Sequence, residues 1–162
     1  KEVERYEYES SKVNWMRADL FPDVLPVVKI LRKKYFLATL SNTDDTILHK
    51  KVLRNTKLHP HFHVHVDSDS FGVRKPHPKI FLSILKHFRV KPSEAVMIGD
   101  LPLADIIGGN RLGIKTILLN RRKLPYHLNG LKRPDFEISS LKQLPAVLKK
   151  LEAYKNKNFV FV

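Results

Sequence analysis

Apolar and polar positions follow two different periods along the chain, one typical of helices and the other of strands. Apolar residues at helical spacing predict a helix from Pro22 to Leu31 that ends in the basic run 32–34. Nearly continuous apolar runs predict buried strands over 35–40, 95–98 and 114–119. The pattern also predicts helices over 44–55, 78–88, 106–112 and 141–154, and strands over 61–66 and 136–138.

Strands that alternate with helices of this length imply crossover connections between parallel strands. The predicted fold class is therefore α/β: a doubly wound, Rossmann-like parallel sheet with helices on both faces, in three α/β/α layers. In such sheets ligands bind at the carboxyl ends of the strands. Polar residues follow three of the predicted strands at this edge, namely Ser41 and Asn42, residues 67–69, and Gly99 and Asp100. We expect these groups to share one crevice.

Composition and charge limit the classes of function. The 162 residues include 30 Lys plus Arg, 16 Asp plus Glu and no cysteine, which gives a formal net charge of +14. The lack of cysteine excludes disulfides and thiolate chemistry and fits a cytoplasmic protein. No apolar run of about 18 residues predicts a membrane span, and the charged residues 1–10 do not resemble an export signal. The charge leaves binding to nucleic acid or another polyanion open, although scattered basic groups favour a solvated surface.

Histidines occupy four alternating positions, His59, His61, His63 and His65. On a strand this spacing places all four rings on one face, where they could bind a transition metal. However, Pro60 lies between the first two, and no acidic or thiolate residue completes a tetrahedral set. We therefore favour an exposed edge face over a metal site.

Three segments carry the most specific pattern: LATLSNTDD at 37–45, FGVRKPHPKIF at 71–81 and EAVMIGDLPLADIIGGNRLGIKTILLN at 94–120. In order and spacing they resemble the second, third and fourth motifs of the haloacid-dehalogenase (HAD) superfamily. The resemblance covers roughly residues 20–145. It implies a Mg²⁺-dependent phosphatase of the capped subfamily, which acts on a small phosphorylated metabolite through an aspartyl-phosphate.

The resemblance also assigns roles to five residues. It implies that Ser41 and Asn42 bind the phosphoryl group and that Lys75 neutralises charge on it. Asp100 and Asp105 would organise Mg²⁺, the first directly or through water. Simpler alternatives exist: helix capping by Ser41 and Asn42, a solvated Lys75, and a helix-start acid at Asp105. Three motifs in register favour the functional roles, and Asp100 favours a phosphatase over the superfamily's dehalogenases, which lack this acid.

One part of the family pattern is missing. Members begin with a strand that ends in Asp-x-Asp, whose first acid attacks phosphorus and whose second handles the leaving-group proton. No such segment precedes residue 20. We therefore expect a fragment, inactive alone, in which residues 1–20 are a remnant of a helical cap or a linker, 21–155 an incomplete core and 156–162 a tail or extra strand. Lys rather than Met at position 1 fits this expectation.

Two segments offer substitutes for the missing strand. Asp67-Ser68-Asp69 matches Asp-x-Asp, but it directly precedes GVRKP, where relatives have an acidic turn, so we do not assign it the nucleophile. The strand-like run 158–162 could fill the central place of the sheet and would end where a nucleophile would begin. We favour an edge strand or a frayed end for this run and keep the central place as the alternative. The sequence indicates neither the substrate nor the oligomeric state.

Overall fold

The structure, a computed structural model, describes residues 19–153 and 160–161. Its strands are β1 (Phe36–Ser41), β2 (Val64–Asp67), β3 (Ala95–Gly99), β4 (Lys115–Leu119), β5 (Phe136–Ile138) and β6 (Val160–Phe161). Its helices are α1 (Val24–Arg32), α2 (Thr46–Asn55), α3 (Ser68–Phe71), α4 (Pro78–Phe88), α5 (Ile107–Leu112) and α6 (Leu144–Ala153). A π-helical turn over Pro102–Ile106 precedes α5, and short 3₁₀ turns cover His59–His61, Pro92–Glu94 and Leu141–Gln143. Of the predicted cap remnant or linker over residues 1–20, residues 1–18 lie outside the described residues.

The strands form one parallel sheet in the order β2-β1-β6-β3-β4-β5. Alternate residues of β1 and β3 divide between two apolar clusters, with Leu37 and Val96 in one and Leu40 and Met97 in the other. Since neighbouring strand residues point to opposite faces, the clusters lie on the two sides of the sheet. Helices α1 and α6 cover the first side and α4 covers the second. The predicted doubly wound α/β fold is confirmed.

Local sequence explains where the helices begin and end. Helix α4 starts at Pro78, and the His77 side chain caps it by accepting a hydrogen bond from the Lys79 backbone N–H. Its apolar face buries residues that include Ile80 and Ile84, both fully covered. Helix α2 is capped by Asp45, whose carboxylate accepts from the Leu48 N–H at 2.8 Å. Ser41 and Asn42 therefore do not cap α2.

The C-terminal strand lies in the centre of the sheet. Val160 is level with Phe36 of β1 and Ala95 of β3, and Phe161 is level with the next residue of each strand. The edge position that we favoured from the sequence is therefore wrong for these two residues. A gap between β1 and β3 would leave two buried rows of backbone N–H and C=O groups without partners, and β6 pairs with the first part of each row.

The histidine segment also differs from the prediction. Residues 59–61 form a turn and β2 begins only at Val64, so the four histidines do not share one face of a strand. Strand β2 is an edge strand, but His63 and His65 are half-buried because their rings bond to the neighbouring strand β1. Within residues 19–153 and 160–161 no group of three His, Cys, Asp or Glu side chains is placed to hold a metal ion.

Nothing in the described part of the chain has the length and apolar character of a membrane-spanning helix. The cytoplasmic location suggested by the sequence stays a prediction.

Candidate active site

A cavity of about 430 Å³ opens at the carboxyl ends of β1 and β3. All five residues to which the resemblance assigns roles line it: Ser41, Asn42, Lys75, Asp100 and Asp105. Segments that lie far apart in sequence thus meet at the edge of the sheet where ligands bind in this class of fold. The roles of these residues stay predictions, and the geometry below shows what each can do.

Lys75 and Asp105 form a buried ion pair at the floor of the cavity. The ammonium nitrogen of Lys75 lies 2.7 Å from Oδ1 of Asp105, and the two side chains are 8% and 2% exposed. The ammonium also donates to the backbone oxygen of Leu40 at 2.5 Å. Oδ2 of Asp105 accepts from the Leu101 N–H at 3.0 Å. An ammonium has three N–H donors, so these two contacts leave one for a ligand.

Asn42 fastens the loop that carries Lys75. Its side-chain oxygen accepts from the Lys75 backbone N–H at 2.8 Å, and its amide nitrogen donates to the Lys75 carbonyl at 3.0 Å. This reciprocal pair ties the loop to the end of β1. The amide keeps a second N–H that could still reach a phosphoryl oxygen, as predicted from the sequence. The described residues offer the Ser41 hydroxyl no hydrogen bond, so it is available to a ligand.

Asp100 lies at the mouth of the cavity and is open to solvent on one side. Protein atoms crowd its carboxyl group on the other side, and this burial raises its pKa; the negative charge of Asp105 raises it further. Lys75 compensates one of the two negative charges and is already paired to Asp105. A second cation beside Asp100 would therefore be favoured.

Gly99 allows the close approach of Asp105. A Cβ atom at position 99 would lie 2.1 Å from Oδ2 and 2.3 Å from Cγ of Asp105. Any side chain here would displace the carboxylate that holds Lys75. The glycine before Asp100 is thus a steric requirement of the ion pair.

These segments match a known sequence family. The haloacid dehalogenase-like hydrolase family matches residues 2–113. The chain belongs to this family.

Two curated relatives illustrate the similarity. The chain is 34% identical over 146 residues to the glyceraldehyde 3-phosphate phosphatase of Methanopyrus kandleri. The aligned residues cover 89% of this chain and 62% of the relative. It is 32% identical over 144 residues to the enzyme of the same name from Pyrococcus furiosus, with coverages of 88% and 59%. The chain thus spans about three-fifths of the length of these relatives.

Solved structures agree with this assignment. A HAD phosphatase from Thermococcus onnurineus superposes with a TM-score of 0.71 at 32% identity, over 80% of this chain and 58% of that protein. A 2-haloacid dehalogenase from Pseudomonas syringae pv. Tomato superposes with a TM-score of 0.74 at 31% identity, over 92% and 63%. Both branches of the HAD superfamily, phosphatases and dehalogenases, therefore share this core.

Sequence reasoning missed a second ion pair with a buried carboxylate, whose two residues do not line the cavity. The guanidinium of Arg121 donates to both carboxylate oxygens of Asp23, at 2.9 and 3.0 Å. Asp23 also accepts from the Ser140 hydroxyl at 2.6 Å and from the Leu141 N–H at 2.8 Å. The Arg121 hydrogen bonds hold the pKa of Asp23 well below its usual range. The signal available in the sequence was an acid at the start of α1 and an arginine just after β4.

Asp67 and Asp69 have structural partners at the end of β2. Asp67 is buried and accepts from the Ser70 N–H at 2.8 Å and from the Thr46 hydroxyl at 2.5 Å. Asp69 accepts from the Thr46 backbone N–H at 3.1 Å. Neither carboxylate lines the cavity beside Lys75. The expectation that residues 67–69 share the crevice with Ser41 and Asp100 is therefore wrong, because these residues bond to the start of α2 and to their own turn. That Asp67 is not the nucleophile stays a prediction.

Proposed function

We propose that this site hydrolyses phosphate monoesters with the help of Mg²⁺, and that the nucleophilic carboxylate comes from outside the described residues. The observation that carries the proposal is the buried Lys75–Asp105 pair beside Asp100 and the free hydroxyl of Ser41, all on one cavity. Donors of positive charge and hydrogen bonds around a phosphate-sized space are what a phosphoryl group requires.

The residues present fit a magnesium ion. Asp100 offers carboxylate oxygens at the open mouth of the cavity, and Mg²⁺ characteristically uses one or two carboxylates, several waters and a substrate phosphate. Asp105 fits a different task, because its Oδ1 is in ion-pair contact with the Lys75 ammonium and its Oδ2 accepts from the Leu101 N–H. We therefore assign Asp100 as the ligand and Asp105 as the residue that positions Lys75. When bound, the ion would neutralise charge on the phosphoryl oxygens.

The protein's own residues then bind and orient the ester. The third N–H of Lys75 and the hydroxyl of Ser41 donate to phosphoryl oxygens, and Asn42 keeps the Lys75 loop in place. The family resemblance implies two steps. A carboxylate oxygen attacks phosphorus while the bond to the ester oxygen breaks and the leaving alcohol takes up a proton; water then attacks the acyl phosphate, which regenerates the carboxylate and releases phosphate.

The substrate proposed is a small phosphorylated metabolite. The relatives from Methanopyrus kandleri and Pyrococcus furiosus are named glyceraldehyde 3-phosphate phosphatases, so this ester is the first to assay. The alternative of polyanion binding from the +14 charge stays a prediction, which the loss of nucleic-acid binding with rising salt would test.

Binding of orthophosphate tests the proposal without requiring turnover. Calorimetric titration should show binding that strengthens with Mg²⁺ and weakens by at least about tenfold, or about 1.4 kcal/mol, in Lys75→Gln and Asp100→Asn. Lys79→Gln is the matched control, since Lys79 is an exposed lysine on the neighbouring helix. Equal binding by all four proteins would reject the site.

Turnover is the second measurement. We expect no phosphate release from glyceraldehyde 3-phosphate or p-nitrophenyl phosphate, with or without Mg²⁺, from residues 1–162 alone. Release that Asp100→Asn abolishes would show that the chain already contains its nucleophile.

A further inference from the structure

Basic residues gather at the edge of the sheet opposite the candidate active site. Helices α1, α2, α4 and α5 each lead through a short connection to the amino end of the next strand, so their last residues lie at this edge. These helix ends and connections span 32–35, 54–63, 86–94 and 111–114, and their one acid is Glu94. Their basic residues are Arg32, Lys33, Lys34, Arg54, Lys57, Lys86, Arg89, Lys91 and Arg111. We call this surface the basic edge.

Helix electrostatics accounts for only part of this concentration. Basic residues in a last helical turn offset the negative end of the helix dipole, but the effect does not reach beyond that turn. Lys57 and Lys91 lie past the helix caps Thr56 and Arg89. The edge that holds the cavity carries both signs, with acids at Asp23, Asp44, Asp45, Asp67, Asp69, Asp100 and Asp105 and basic residues at Arg74, Lys75, Lys79, Arg121, Arg122, Lys123 and Lys142. A partner with many phosphates is therefore attracted more strongly to the basic edge.

Aromatic rings lie together on the basic edge, between β1 and α4. Phe36 is the first residue of β1 and is 50% exposed. Its ring stacks on that of Phe88, the last residue of α4, with ring centres 5.4 Å apart and planes 26° apart. The rings of His63 and His87 meet these two edge-on, at 5.1 Å from Phe36 and 4.8 Å from Phe88. Half of the Phe36 surface thus remains in water, where its ring can stack on a planar partner.

Cations flank these rings. Burial lowers the pKa of His63, and the positive charge of Arg32 lowers it further, which agrees with a position of Arg32 beside the rings. Arg89 directly follows Phe88, and both arginines are exposed. The sequence shows no alternation of aromatic and basic residues, because Phe36 and Phe88 lie far apart along the chain and meet only in the fold.

We propose that the basic edge binds single-stranded nucleic acid, with a base stacked on Phe36 and phosphates contacted by Arg32 and Arg89. Proteins that bind single strands without sequence preference combine cations for the backbone with exposed aromatic rings for the bases. In a duplex the bases stack on one another, so their faces are closed to Phe36. None of these three residues lines the cavity, so this binding does not depend on the proposed phosphatase function.

Fluorescence anisotropy with a labelled oligothymidylate of about 16 nucleotides tests the stacking role. The chain should bind it at low salt, and Phe36→Ala should weaken binding by about tenfold, because a stacked base contributes about that factor. Phe71→Ala is the matched control, since Phe71 is 41% exposed and follows β2 at the cavity edge. Absence of binding by the unchanged chain, or equal affinity of the two variants, would overturn the proposal.

The salt dependence of binding tests the phosphate contacts. Arg32→Gln combined with Arg89→Gln should weaken binding and reduce the slope of log K against log salt by about 1.4, since each contact to a single strand contributes about 0.7. Lys79→Gln combined with Lys142→Gln removes the same charge from exposed positions at the cavity edge and should leave the slope nearly unchanged. Equal losses in the two double variants would assign the affinity to net charge alone and overturn the proposal.

Two further comparisons use the unchanged chain, so they hold even if Phe36→Ala does not fold. The single strand should bind at least about tenfold more tightly than a duplex of the same length; equal affinity for the duplex would overturn the stacking role. Vesicles that contain phosphatidylserine should not displace the oligonucleotide, and full displacement would assign the basic edge to a membrane surface and overturn the proposal. Orthophosphate should bind a folded Phe36→Ala variant as it binds the unchanged chain, so failure of the proposed phosphatase function is recognised separately.

Discussion

Two ion pairs with a buried carboxylate, Asp23–Arg121 and Lys75–Asp105, differ in how completely the hydrogen-bonding capacity of their atoms is used. Asp23 accepts four hydrogen bonds, two from Arg121 and one each from Ser140 and Leu141. In the other pair, the Lys75 ammonium contacts Asp105 and the Leu40 carbonyl and keeps one donor free at the cavity. In the first pair the carboxylate is saturated and ties α1 to the segment at Ser140; in the second pair the ammonium keeps a donor at the cavity, which suits a ligand. Burial alone does not distinguish a structural ion pair from a functional one, but a spare donor on a side chain that lines the cavity does.

The largest expected effect on either ion pair comes from replacing Lys75. Lys75→Met leaves the Asp105 carboxylate buried without a cation, so the free energy of unfolding in urea should fall by about 3–5 kcal/mol. Adding Asp105→Leu should restore much of that loss, because no lone charge then remains. Neither variant should bind orthophosphate. Retained binding in the double variant would show that the pair serves stability alone.

A change in the Asp23–Arg121 pair should lower stability but leave orthophosphate binding unchanged. Asp23→Asn weakens the bonds from Arg121, and hydrogen bonds to charged groups contribute about 1.5–3 kcal/mol each. We expect unfolding in urea to become easier by about 2–3 kcal/mol, while calorimetry finds unchanged affinity for orthophosphate. If the variant folds well but has lost orthophosphate affinity, Asp23 contributes to phosphate binding, and the two ion pairs do not differ in function.

A smaller effect is expected when a side chain is added at Gly99, next to the Lys75–Asp105 pair. In Gly99→Ala the new methyl group collides with Asp105, and overpacking of this kind costs about 1–3 kcal/mol. The displaced carboxylate should release Lys75, so orthophosphate binding should weaken as well. Gly113→Ala, at a glycine whose Cβ would meet open space but whose φ is +75°, is the control for backbone strain. It should lower stability without changing orthophosphate affinity.

The smallest effect expected is a pH dependence from His63, at a distance from both pairs. Burial lowers the pKa of His63, and the positive charge of Arg32 adds to this effect. The folded state therefore binds fewer protons than the unfolded state, and stability should decline as pH falls below about 6.5, the value for an unperturbed histidine. Below the folded pKa the decline from this group ends.

A matched variant isolates the histidine. The neutral ring accepts from the Leu37 N–H, and the side-chain oxygen of a glutamine could accept the same bond. His63→Gln should therefore flatten the pH dependence of urea midpoints between pH 5 and 7. An unchanged slope would assign the dependence to other groups.

The sequence predicted the sheet and the convergence of the site well, because both follow from local pattern. Short apolar runs such as 95–98 favour strands between two layers, and residues after parallel strands meet at one edge of the sheet. The bond between Asn42 and the Lys75 backbone could not be predicted, since it depends on how a loop 33 residues away approaches β1. The Asp23–Arg121 pair spans 98 positions and has no periodic signal.

The position of β6 exposed a limit of a different kind. Strand-like composition at 158–162 indicated a strand but not its neighbours, since pairing depends on which edges the rest of the fold leaves unsatisfied. Likewise, alternation suggested that the histidines share a strand face, but Pro60 belongs to a turn that takes His59 and His61 out of the strand. For β6 a tertiary requirement overrode the local pattern, whereas for the histidines a turn at Pro60 overrode the alternation.

The central place of the last strand has a consequence for how the chain folds. Val160 pairs with Phe36, 124 positions earlier, and also with Ala95. Among the described residues, strands β1 and β2 on one side and β3, β4 and β5 on the other are joined within the sheet only through β6. Contacts between such distant positions carry a large loop-closure cost and form slowly. We therefore expect the two groups of strands on either side of β6 to form first and to join in the last step of folding. A protein arrested before that step would expose two unpaired strand edges, which favour aggregation.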